Sequence, residues 1–168
     1  MSIAKANRHA DLSRRLLAQA NYELHTLGDR VQASDKASGA VAHAVKAIGE
    51  DRNWRHGSHN LRRDISGLLA DEYGQPEILH LQAVADQLHD NYFEDRLNES
   101  LLGQLVADVG RLIESLWDVR ETGASPGFSP TPEQRRIINR LLVPEDVAQA
   151  DESIDFPPPM PPFNLPAG

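Results

Sequence analysis

"RVQASDKASGAVAHAVKAIG", residues 30–49, is the stretch whose reading decides the fold. Ala33, Ala37, Ala40, Val41, Ala44, Val45 and Ile48 recur at helical spacing and form one face. Most of them are small, and small side chains let two helix backbones approach closely. A helix with such a face belongs at the centre of a bundle, against a neighbour. Gly39 lowers helix propensity by about 1 kcal/mol relative to alanine, so its presence points to tight packing at that position.

Working outward, the same periodicity continues in both directions. In 11–27, Leu12, Leu16, Leu17, Ala20, Leu24 and Leu27 make an apolar stripe, and Gly28-Asp29 ends it. Beyond the central helix, Leu61, Ile65, Leu68 and Leu69 mark a third helix closing near Tyr73-Gly74. Pro76 suits the first turn of a fourth helix over 76–96, since its missing N–H is harmless there. Asn98 is placed to cap a fifth over 99–118. "ETGASPGFSP" (121–130) is a linker by composition, and Thr131-Pro132-Glu133-Gln134 is a capping box opening a short further helix.

The expected fold is therefore all-α: an up-and-down bundle of about five helices, a short extra C-terminal helix and a proline-rich tail. The organisation by segment is 1–120 for the bundle, 121–143 for the linker and short helix, and 144–168 for the acidic, then proline-rich tail. "FPPPMPPFNLP" within that tail is either a polyproline-II ligand or a plain extension. Docking through Phe156 and Phe163 is the expectation drawn here.

Net charge is −8 and cysteine is absent, which excludes disulfides and thiolate chemistry. An acidic surface argues against unspecific coating of duplex DNA, though it allows one local basic patch. There is no long apolar run, so a soluble, cytoplasmic protein that does not enter the membrane is expected.

The basic patch is "DRNWRHGSHNLRRD", residues 51–64. Arg52, Arg55, His56, His59 and Arg62 can contact phosphates of RNA or a nucleotide, and Trp54 can stack on a base. The competing reading is a helix junction in which Trp54 plugs the bundle end and Ser58 or His59 caps the third helix. A second group is His89, Tyr92, Phe93 and Arg96, spaced to share a face of the fourth helix. The candidate catalytic residues are His59, His89 and Arg96, with histidine as the group that titrates near neutrality. A metal site would have to join His56 and His59 to His80 or His89, without standard ligand spacing, so neither a metal nor a cofactor is expected.

Three pieces carry a family resemblance: "LGDRVQASDKASGAVAHAVKAIGEDRNW", "HGSHNL" and "ADQLHDNYFEDRL". Together they resemble the HEPN-like superfamily, in its archaeal and bacterial branch of small paralogous-repeat (PaREP-like) proteins, over roughly residues 10–118. The resemblance implies a helical module that pairs as a homodimer and binds RNA or a nucleotide. Nuclease members of the superfamily carry Arg-x(4–6)-His. No arginine stands four to six residues before His89, Arg96 follows it, and the Arg52-to-His59 spacing falls in a loop. The reading is thus a non-enzymatic module, with a metal-independent endoribonuclease or a protein-interaction adaptor as alternatives.

Overall fold

The computed structural model describes residues 3–144. Seven α-helices follow one another: α1 (Ile3–Tyr22), α2 (Arg30–Asp51), α3 (His59–Tyr73), α4 (Glu77–Glu94), α5 (Glu99–Leu112), α6 (Glu114–Thr122) and α7 (Pro132–Leu141). Among the described residues there is no strand, only one isolated antiparallel bridge between Trp54 and Leu142. The fold is an all-α bundle. No helix among them is long and apolar enough to cross a membrane. The proline-rich tail, with Phe156 and Phe163, lies outside the described residues.

The alanine-rich α2 is packed on by α1, α3, α4, α5 and α6. Ala33, Ala37, Ala40, Ala44 and Ala47 are all fully buried. A Cβ added to Gly39 would meet the Leu16 side chain at 3.3 Å, which accounts for glycine there. Close approach is reinforced by Ser13, whose hydroxyl donates to the Ala40 carbonyl at 2.6 Å.

Helix ends follow the capping residues. Asp29, Ser58 and Asn98 accept from the backbone N–H of Gln32, Leu61 and Leu101. Thr131 and Gln134 complete the capping box of α7. Gly74 closes α3 in the left-handed conformation, at φ 60°.

Four details depart from the periodicity. First, α1 begins at Ile3, a full two turns before residue 11, because its first turns bury Lys5, Ala6, His9, Ala10 and Ser13. That face is polar and small, so a search for large apolar residues passes over it. Second, a π-helical turn at Glu23–Leu27 ends this helix. The wider turn rotates the following side chains, and Leu27, expected inside, is 58% exposed. Third, the expected helix 99–118 is two helices, α5 and α6, meeting at Ile113. Ile113 itself keeps helical dihedrals, φ −62° and ψ −23°, and Leu112, Ile113 and Leu116 are all buried. Fourth, α4 stops at Glu94 and Asp95 is left-handed, at φ 45°. Arg96 therefore lies past the helix end and does not share a helical face with His89.

The last turn of α6 and the segment after it tie back to the bundle. Arg120 donates to Asp51 at 2.8 Å. The fully buried Leu141 sits at the end of α7, and the Arg55 N–H donates to its carbonyl at 2.6 Å. This clip holds the α2–α3 loop in one conformation.

Candidate functional site

The α2–α3 loop distributes its basic residues among different surroundings. Arg52 donates to Glu72 at 2.5 Å and to the Tyr73 hydroxyl at 2.8 Å, with its guanidinium 5.1 Å from the Trp54 ring centre. Trp54 is buried and belongs to the core cluster. Both residues serve the junction, as the competing reading of the loop held for Trp54. Arg55 is exposed. His56 is 2% exposed, and its Nε2 lies 2.8 Å from Glu50 Oε1. Arg96 is exposed and pairs with Glu94 at 3.5 Å. The six residues expected to line one phosphate-binding rim are thus not gathered on one surface, because three of them are committed to internal contacts.

What the fold does gather is a cleft between α2, α3 and α4. His59 at the start of α3 and Arg62 one turn later face Gln82, Asp86 and His89 on α4, with Asp35 and Ser38 on α2 as the third wall. The imidazoles of His59 and His89 are 4.6 Å apart, centre to centre. Asp86 accepts from Arg63 Nε at 3.0 Å and from Gln82 at 3.1 Å. His59 Nδ1 is 4.0 Å from the same carboxylate, too far for a hydrogen bond. Partial burial, then the nearby Arg62 and His89, lower the His59 pKa from its ordinary value. Arg62 is held in place by donating to the His56 carbonyl at 3.1 Å. The second face of His89 meets Phe93, which is 71% exposed.

A second polar group is wholly internal and was not legible as a site. Lys5 and His9 of α1, His43 and Glu50 of α2, and His56 of the loop are all buried. His9 Nδ1 and His43 Nδ1 are 2.9 Å apart, and His9 meets the His56 ring edge-on at 5.4 Å between centres. Lys5 Nζ lies 3.6 Å from Glu50 Oε1. Burial above all, and then His43, His56, Lys46 and Lys5, hold the His9 pKa down to about 2. One sign of this group stands in the sequence. His43 and Glu50 are seven residues apart among the core alanines, and Lys5 and His9 are four apart beside Ala6 and Ala10. Polar residues repeating on an apolar helix face must meet each other or a ligand, since a buried polar group without a partner is costly.

Fold and clefts together define a helical bundle with two histidine-bearing polar groups, one open and one closed. The family model of the archaeal PaREP1/PaREP8 family matches residues 8–113, and the chain belongs to that family. The matched stretch runs from within α1 to the end of α5 and contains every residue of the open cleft. No curated protein matches the chain, and neither does any solved structure.

Proposed function

We propose that this chain is a HEPN-like module that pairs as a homodimer and holds the phosphates of RNA or a nucleotide in the His59–Arg62–His89 cleft without cutting them. The observation that carries the reading is the convergence of these three side chains, from two helices, on one cleft. Arginine suits phosphate oxygens through its fork of donors, and each imidazole becomes a second donor when protonated. Arg63 offsets Asp86 and so reduces its repulsion of an anion.

Binding is favoured over cleavage by the way Asp86 is used. A general base needs an orienting partner on its other nitrogen. Asp86 is instead taken by Arg63 and Gln82. The endoribonuclease reading draws on one observation, the 4.6 Å separation of the two rings, which would let one act as acid and the other as base.

Pairing is supported by the apolar rings that α4 leaves exposed beside His89: Phe93, whose ring meets His89, and Tyr92, whose ring meets Phe93. A dimer over this face would border the cleft.

Fluorescence anisotropy with a labelled single-stranded RNA at low salt tests the reading. Wild type binds, binding weakens steeply with salt as counterions are released, and His59→Ala with His89→Ala reduces affinity at least about tenfold, or about 1.4 kcal/mol. The same RNA stays intact on a gel. Absence of binding at low salt refutes the proposal and leaves an adaptor. Cleavage abolished by either histidine substitution makes the protein a nuclease.

A further inference from the structure

We propose that His9, Glu50 and His56 form a buried transition-metal site of the zinc class, and that Lys5 is the cation holding Glu50 when no metal is bound. This inference is independent of the RNA-binding reading, because none of these residues lines the open cleft.

The donor set comes first. Each of the three residues offers one ligand atom, and these atoms all lie within 4.8 Å of one another. Bonds to zinc are about 2.0–2.2 Å for imidazole nitrogen and carboxylate oxygen. Three corners of such a tetrahedron fit inside that spread with small side-chain movements. Two imidazoles and one carboxylate are a known zinc donor set, and this chain has no cysteine to offer a softer one.

The surroundings prepare these donors. His9 and His43 meet through their Nδ1 atoms at 2.9 Å. With the shared proton on His9 Nδ1, His43 fixes the ring and His9 Nε2 presents its lone pair inward, which is how an outer partner orients a ligating histidine. His56 Nδ1 is buried with no hydrogen-bond partner, so that ring keeps an unused donor atom inside the protein. The chain makes room for this ring deliberately. A Cβ on Gly49 would stand 3.1 Å from His56 Cδ2, tighter than ordinary contact, so glycine gives this ring its room. The loop carrying it is fixed on both sides. Trp54 N–H donates to the Gly49 carbonyl at 2.7 Å, Arg55 N–H to Leu141, and Arg62 to the His56 carbonyl. Rigid support of this kind is what a metal site needs and a mere loop does not.

Lys5 supplies the regulation. Its ammonium is 3.6 Å from Glu50 Oε1, on the carboxylate a metal would use. Two cations cannot share that oxygen closely in a buried setting. Metal entry therefore displaces Lys5, which sits in the first turn of α1.

The test uses the full-length protein, stripped with a chelator and titrated with Zn2+ by calorimetry and with Co2+ by visible absorption. One ion per chain is expected, with the intense bands of four-coordinate cobalt. Glu50→Gln and His56→Gln abolish these bands, while Lys5→Met, which keeps every ligand, tightens zinc at least tenfold. Should a ligand variant fail to fold, Lys5→Met still decides. If neither wild type nor Lys5→Met binds stoichiometric zinc, the group is only a charge and hydrogen-bond network and the proposal is overturned. Zinc retained with unchanged affinity in folded His56→Gln and unaffected by Lys5→Met places the ion elsewhere and overturns it equally.

Discussion

His56 and His59 are three residues apart, yet one is sealed in the core and the other lines an open cleft. Gly57 and Ser58 stand between them, and Ser58 sets the direction. Its extended backbone, φ −125° and ψ 161°, turns the chain between the two histidines, and its hydroxyl caps α3. His56 falls on the side of Glu50 and His9, and His59 on the side of His89. The contrast shows what makes a histidine structural or available: the direction the chain leaves a cap, not the residue type or the spacing. It also separates two kinds of energetics. The closed group contains charges buried inside the protein, whereas the groups of the open cleft keep part of their exposure.

The sharpest way to break this comparison is through Glu50. Replacing it by alanine leaves the Lys5 ammonium buried with its carboxylate removed, and loss of one partner of a buried pair costs about 3–5 kcal/mol. Urea denaturation followed by circular dichroism measures it. A loss below about 1 kcal/mol, the range of a surface pair, would mean that the closed group is not closed.

Next in size is Ala40→Leu on the packed face of α2. Ala40 is fully buried and its carbonyl accepts from Ser13, so added volume has nowhere to go. Overpacking is expected to destabilise by about 1–3 kcal/mol. An unchanged melting temperature would contradict the central place of α2.

Ser58→Ala acts on the divider itself. Loss of the cap costs about 1 kcal/mol and frays the start of α3, which carries His59. Hydrogen exchange should speed up at Leu61 and Arg62 before it does at Trp54, whose N–H is tied to Gly49.

The smallest effects belong to the open cleft. His59→Ala should change stability by no more than about 0.5 kcal/mol, as for surface positions generally. Its titration is more informative. With a pKa lowered in the folded protein, the neutral ring is the favoured form, so its stabilising part is present above the unfolded value near 6.5 and fades as pH falls. Proton NMR should place the His59 midpoint below about 6.5, and bound phosphate should move it upward. A midpoint above the ordinary value would put an anionic partner, Asp86 foremost, in control of the ring.

Much of the fold was legible residue by residue. The alanines of α2, the cap residues Asn98 and Thr131, and Gly74 each act within a few residues of themselves, so local sequence specifies them. The break at Ile113 and the π turn after Tyr22 were not legible. Each depends on which side of a helix the rest of the bundle covers. His59, Arg62 and His89 were legible as candidates. Their meeting was not, because α3 and α4 are brought together only by burial against α2.

Local sequence by itself determined that this chain is helical, where most of its helices begin and end, and that α2 packs closely. Those properties follow from backbone propensity, capping and the 3.6-residue period, all short-range. Tertiary structure alone decided that Lys5, His9, His43, Glu50 and His56 share one buried space, and that Arg52 and Trp54 are held by the core. The physical reason is that burial is a property of the assembled surface. A charged or polar side chain reads as exposed until the fold places its partner beside it, and that partner here comes from another helix or from across a loop.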